Sequence, residues 1–180
     1  MRVRPMTGYE MKQVFQNTVR YVWNAGMSQI YQSLRILHET GLVSAEERIG
    51  ENGLAQKLYS ITENGTQELN RWLEEKVAER YSKNEFLAKL FFCGFAEDEI
   101  AEAHVQQYLQ ELEQQMAFLE ESRERYKDPL VAHRPQLLRY QLLTLQWLTA
   151  LTQTNIDMAR NALAMLREEA AHSDNPMERR

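Results

Sequence analysis

The sequence has one cysteine, four prolines and seven glycines in 180 residues. Cys93 alone cannot close an intrachain disulfide, which excludes the disulfide-framed secreted scaffolds and fits a reducing cytoplasm. No long hydrophobic run is present. The longest, LAKLFFCGFA at 87–96, is interrupted by Lys89 and is far shorter than the roughly 20 apolar residues of a membrane-spanning helix. The opening MRVRPMTGYEM has no apolar signal core, so the chain is expected to be neither exported nor embedded. His38, His104, His133 and His172 are scattered without the paired spacing of a metal site. No nucleophile motif or phosphate-binding glycine loop occurs, so no metal, cofactor or catalytic role is expected.

What is present is 43% hydrophobic and 26% charged, enough for one ordinary domain or two small units. The net charge of -5 is unevenly spread. Residues 1–41 hold five basic side chains against two acidic ones, a local +3, whereas residues 76–180 hold thirteen against seventeen, a local -4. A basic N-terminal part and an acidic C-terminal part imply two tasks.

The apolar spacing predicts mostly helix. Thr7 precedes a helix from Gly8 to about Val19, with Met11, Val14, Phe15 and Val19 on one side. After Asn24-Ala25-Gly26, Ser28 is expected to cap a second helix with Ile30, Leu34 and Leu37 inward and Gly41 at its end. Ser28, Gln29, Gln32, Arg35 and Glu39 are left on its outer side. Asn52-Gly53 and LYSIT at 58–62 read as a hairpin. Thr62 or Glu63 then opens a helix with Leu69, Trp72 and Leu73 inward, where Gly65, in the first turn, should cost little. Helices are expected at 83–94, 97–126 and from Pro135 to about Ala171.

The last helix carries Leu138, Leu142, Leu145, Thr149, Thr152, Ile156, Ala159, Leu163 and Leu166 in alternating steps of four and three. Such a heptad seam demands a helical partner. A second copy of the chain is the expected partner, with Leu138, Leu142, Leu145, Ile156 and Leu163 as dimer contacts; an intrachain helical hairpin is the alternative.

Helix, turn, helix and hairpin in that order suit a DNA reader. The major groove, about 12 Å wide, admits one helix, and side chains facing it must hydrogen-bond to bases or phosphates. Ser28, Gln29, Gln32 and Arg35 are of that kind, and Lys57 on the hairpin could reach phosphate. Composition alone fits a solvated amphipathic helix equally well.

TGYEM at 7–11, SQIYQSLRILHETGLV at 28–43 and KLYSITENGTQELNRWL at 57–73 resemble the winged-helix domain of PadR-family transcriptional regulators. NEFLAKLFFCGF at 84–95, followed by two long helices, is similar to the C-terminal dimerisation domain of the longer PadR proteins and AphA-like regulators. The resemblance implies a mostly α fold with a winged helix-turn-helix domain at 1–75 and a long-helix dimerisation and effector domain at 76–180. It implies a cytoplasmic homodimer that binds double-stranded operator DNA, usually as a repressor released by a small aromatic or phenolic effector or a cationic drug. The family's recognition pattern falls on Ser28, Gln29, Tyr31 and Arg35, and its wing lysine and tyrosine on Lys57 and Tyr59. Tyr31 also borders the apolar stripe and could serve the core. Trp147, Phe91, Phe92 and Tyr140 are the aromatics expected to stack on a planar effector, with core packing as the competing role for Trp147, Phe91 and Phe92.

One departure stands out. Family members begin with an apolar helix of ten or more residues before the TGYE block, and here only Met1 to Met6 precede it. The start is then truncated, or another segment, such as one from the partner subunit, closes the core. The rival expectation is a helical interaction module that dimerises but has lost DNA binding.

Overall fold

The structure, a computed structural model, describes residues 4–16, 20–22, 25–50, 53–77, 83–126 and 135–173. It divides into two compact units, residues 1–80 and 81–180.

The first unit runs β1 (Met6–Thr7), α1 (Gly8–Val14), α2 (Met27–Glu39), β2 (Val43–Ile49), β3 (Ala55–Ile61) and α3 (Glu63–Glu74). The strands form one antiparallel sheet in the order β1-β3-β2. Thr7 starts α1 with a capping box: its hydroxyl accepts from the Glu10 N–H at 3.2 Å, and the Glu10 carboxylate accepts from the Thr7 N–H at 2.8 Å. Arg4 adds an ion pair to Glu10 at 2.7 Å. The backbone hydrogen bond from Thr7, then the bond from Arg4, hold the Glu10 carboxyl below the usual carboxylate range. A depressed folded value contributes stability above the unfolded value of about 4.3 and loses it as pH falls through the folded one. Glu10→Gln is therefore expected to cost on the order of 1 kcal/mol at pH 7 and less in acid, as denaturant titrations at pH 7 and pH 3 would read. An equal cost at both pH values contradicts this.

α1 ends at Val14, short of the expected Val19, and a wider π-type turn follows at Phe15 and Gln16; residues 17–19 lie outside the described residues. The start of α2 also differs from expectation. Gly26 is the N-cap, without any side-chain bond, and its carbonyl accepts the Ile30 N–H at 3.0 Å. The helix thus begins before Ser28, which is already inside the first turn. The inward stripe is as expected, with Ile30 and Leu34 buried and Leu37 half-buried. Gly41, at φ +70°, closes the helix in the left-handed conformation that favours glycine.

β2 and β3 pair from Val43↔Ile61 to Ile49↔Ala55, so the wing is longer than the LYSIT segment alone suggested. Met11, Ile30, Leu34, Val43 and Tyr59 form the core of this unit, with Met6, Ala25, Leu37 and Ala45 packed on it. Tyr59, the residue matching the family's wing tyrosine, is thus a core residue.

α3 is capped by Thr62, whose hydroxyl accepts from the Gly65 N–H at 3.0 Å. Gly65 is more than a tolerated glycine: a Cβ there would lie 2.0 Å from the Leu42 carbonyl oxygen and 2.9 Å from Ile61 Cγ1. The close approach seats only the beginning of α3. Trp72 and Leu73, expected inward, are each 62% exposed because they belong to its far end.

The second unit contains α4 (Glu85–Phe92), a 3-10 turn at Cys93–Phe95, α5 (Asp98–Arg125) and α6 (Pro135–Ser173). α5 and α6 form an antiparallel hairpin, clasped by Arg160–Glu113 at 2.9 Å and Arg167–Glu102 at 2.7 Å. Val105, Leu112 and Leu119 of α5 and Leu145, Thr152, Ile156, Ala159 and Leu163 of α6 are buried. The heptad seam is therefore covered within one chain. Leu145, Ile156 and Leu163, expected as dimer contacts, are intrachain core; Leu138 is half-buried and Leu142 exposed. The reason is length: α5, at 28 residues, spans about 42 Å and covers most of a seam that seemed too long for one chain.

Candidate nucleic-acid interface

The core stripe of α2 fixes which of its side chains meet solvent. With Ile30 and Leu34 buried, Ser28, Gln29, Tyr31, Gln32 and Arg35 are all exposed. The structure thus brings five of the six expected DNA-contacting residues onto the exposed surface of one helix. Arg35 pairs with Glu39 at 3.8 Å, both well exposed. Such a surface i,i+4 pair is worth only about 0.3–0.5 kcal/mol, so it does not commit the guanidinium.

Tyr31 has a second task. Its ring lies over Gly8, where an added Cβ would come within 2.6 Å of Cε1. The tyrosine therefore packs on the first residue of α1 while remaining half exposed. Of the two roles left open by its place at the edge of the stripe, the packing one is seen here, and the rest of the side chain faces solvent.

Lys57, the sixth expected residue, is exposed on β3 with Glu47 as its cross-strand neighbour. It points to the same side of the hairpin as Tyr59, two residues on. Arg48, paired in register with Gln56, is exposed on the opposite side. Sequence reasoning missed Arg48, although strand alternation from the buried Val43 could have placed it outward.

The expected effector aromatics do not form one site in the chain. Leu90 and Phe86 of α4 pack against the cluster of Val105, Ala159 and Leu163. Phe91 and Phe92 thus belong to that end of the hairpin, in edge-to-face contact at 5.1 Å. Trp147 lies sixteen residues before Leu163 on α6, roughly 24 Å along its axis, and Tyr140 is farther still. All four are exposed. Phe92 lines an open groove of about 410 Å³ with Ala88, Lys89, Cys93, Ile100 and His104, and Lys89 pairs with Glu85 at 2.9 Å. Among the described residues, no group of His, Cys, Asp or Glu could hold a metal ion, and no helix is long and apolar enough to cross a membrane.

A helix with an uncommitted polar face, a second helix beneath it, a two-stranded wing and a separate helical hairpin define a winged-helix regulator with a helical C-terminal unit. The sequence profile of the "Transcriptional regulator PadR-like family" matches residues 1–71, and that of "Virulence activator alpha C-term" matches residues 82–167. The chain belongs to the PadR-like family of transcriptional regulators.

It is 28% identical over 149 residues to the "Negative transcriptional regulator PadR" of Bacillus subtilis, covering 80% of this chain and 81% of that one. The crystal structure of Bacillus subtilis PadR in complex with operator DNA superposes with a TM-score of 0.75 at 24% identity, covering 90% of this chain and 91% of that one. The structure of that protein in complex with p-coumaric acid gives 0.66 at 23%, covering 91% and 88%. The Vibrio cholerae virulence activator AphA gives 0.71 at 28%, covering 93% of both chains.

Proposed function

We propose that the protein is a cytoplasmic homodimeric repressor that reads double-stranded operator DNA through α2 and the wing, acts without catalysis, and is released by a small aromatic or phenolic effector. The observation that carries this reading is the exposed face of α2, polar and held on a small core. Glutamine can bond bidentately to adenine and arginine to guanine, which assigns Gln32 and Arg35 to base edges. Among the described residues, no side chain caps the start of α2, so its first-turn N–H groups suit a phosphate oxygen. Lys57 and Arg48, on opposite sides of the wing, suit backbone contacts. The operator complex and the p-coumaric acid complex of the Bacillus subtilis relative support both partners. For the effector, the groove beside Phe92 supplies an apolar, aromatic wall suited to a flat ring, with the Glu85–Lys89 ion pair and His104 as polar groups at its edge. To act as a switch, the ligand must bind the DNA-incompetent arrangement more tightly, and DNA must weaken the ligand equally.

Gln32→Ala and Arg35→Ala are each expected to weaken operator binding by about 1–3 kcal/mol with unchanged folding, while leaving random-duplex binding less affected. Lys57→Ala should weaken both duplexes and lower the salt slope by about one. Gel-shift titrations with the protein's own upstream DNA and a random duplex, at several salt concentrations, read these effects. Equal operator binding by the wild type and both α2 variants overturns the assignment of α2. No binding to any upstream fragment favours a helical interaction module.

A further inference from the structure

We propose that Glu39 is a specificity-determining residue of the DNA-reading surface: it holds the Nε edge of Arg35, leaves the terminal nitrogens of the guanidinium for a guanine, and screens the cation from phosphate. This rests on the reading of α2 as the DNA-contacting helix. Ser28, Gln32, Arg35 and Glu39 follow one another in steps of four, three and four, so they form one stripe along α2, and all four are exposed. Arg35 is the only Lys or Arg of α2, and Glu39 is its only carboxylate. Their nearest approach runs from Arg35 Nε to Glu39 Oε1 at 3.8 Å. A bidentate contact to guanine O6 and N7 needs two parallel N–H donors, and the terminal pair remains available for it.

Glu39 is poorly placed to stabilise its own helix. It is the last residue of α2, where the helix dipole disfavours an anion, and the first turn, where an anion would be favoured, holds no acidic residue. The pair also runs in the weaker order for an i,i+4 contact, cation before anion. Both side chains are well exposed, so solvent screens what attraction there is. A carboxylate at this position is therefore explained by what α2 touches and not by how α2 folds.

The charge of the unit supplies the reason. Residues 1–80 hold ten Lys and Arg against ten Asp and Glu, so the unit as a whole has no net attraction for a polyanion. Discrimination requires that operator contacts outweigh phosphate contacts, which a bare arginine makes on any sequence. Because the Glu39 oxygen is 3.8 Å from Nε, it lies within a Debye length, about 8 Å, of any phosphate that the guanidinium touches, and repels it. Base edges carry no net charge, so the hydrogen bonds of Arg35 to a guanine lose far less. Random duplex is thereby penalised more than operator. The wing repeats the arrangement, with Glu47 opposite Lys57 in register.

The test compares dissociation constants of the full chain for its upstream operator fragment and for a random duplex of equal length, at several salt concentrations. Glu39→Gln removes the charge and keeps an oxygen for Nε. It is expected to tighten random-duplex binding about tenfold and operator binding by no more than about threefold, and to steepen the random-duplex salt slope by about one. Glu39→Ala should match it on random duplex but bind operator about threefold less tightly than Glu39→Gln, because the Nε edge is no longer held. In an Arg35→Ala background, Glu39→Gln should leave the operator-to-random ratio within about twofold, since Glu39 acts through Arg35. The urea midpoint of Glu39→Gln should be unchanged or slightly raised, whereas a structural role would lower it. Looser operator binding by Glu39→Gln means that the carboxylate accepts from a cytosine and overturns the proposal, as does equal operator binding by the two Glu39 variants. A wild type that prefers operator, with a ratio that survives Glu39→Gln, removes Glu39 and leaves the DNA reading intact. A wild type that binds no upstream fragment better than random duplex ends the DNA reading and this proposal with it.

Discussion

Gly65→Ala is expected to destabilise the N-terminal unit by about 3 kcal/mol or more and to abolish DNA binding with it. Two effects oppose each other at this position. Alanine is the better helix former by roughly 1 kcal/mol, and on propensity alone the substitution would stabilise α3. The added Cβ, however, would sit 2.0 Å from the Leu42 carbonyl oxygen. That oxygen is backbone and accepts the Thr62 N–H at 3.1 Å, so it cannot swing aside as a side chain would. Overpacking typically costs 1–3 kcal/mol, and a clash with fixed backbone lies at or beyond the upper end of that range. Gly94→Ala is the control, because its Cβ would meet nothing within 4 Å, and it should change stability by less than about 0.5 kcal/mol. Urea titrations of both variants compare them directly. Wild-type stability in Gly65→Ala means that α3 does not sit on Leu42.

Ile156→Glu is expected to unfold the α5–α6 hairpin itself. Ile156 is buried between helices of one chain, so a glutamate there places an unpaired charge in apolar surroundings, at a cost of about 3–5 kcal/mol. Were the seam an interface between copies, as its periodicity alone suggested, the same substitution would leave a folded, helical monomer. Circular dichroism at a concentration well below dimer dissociation separates the two: loss of helix agrees with an intrachain seam, and full helicity contradicts it. Met158→Glu, two residues away on the outer face, should retain its helix under the same conditions.

Local patterns were legible in the sequence, and long-range partners were not. Ile30, Leu34 and Leu37 announced α2 because helical periodicity is a property of neighbouring residues, and the same holds for Thr7 and Thr62 as caps. The exposed polar face of α2 followed from that stripe by subtraction. The heptad of α6 was equally plain, yet a heptad states only that some helix covers it. α6 carries a second such stripe through Trp147, Leu151, Thr154 and Met158, and choosing the inner one requires knowing that Glu113 and Glu102 of α5 meet Arg160 and Arg167. Gly65 and Tyr31 illustrate the same limit. The atoms that constrain them, the Leu42 carbonyl and Gly8, are 23 residues away in each case and leave no mark on the local pattern. Trp72 misled for a related reason, since its helical spacing with Leu69 is genuine but α3 is seated only at its start.

The grouping of Phe91, Phe92, Tyr140 and Trp147 into one effector site assumed that aromatic residues in neighbouring helices converge. Antiparallel packing of α5 on α6 separates them by setting α4 near Leu163 and leaving Tyr140 at the opposite end. The fold was therefore more legible than the ligand chemistry, which depends on which ends of long helices meet.

For paired copies of α2 to read DNA in successive major grooves, as proposed, the recognition helices must stand about 34 Å apart. A DNase footprint of the full-length protein on its own upstream DNA measures this directly. The expected result is two protected segments of related, inverted sequence, centred about 10 base pairs apart or at a multiple of that spacing, both lost in Arg35→Ala/Gln32→Ala. No protection at micromolar protein concentration, or protection unchanged in the double variant, would contradict it.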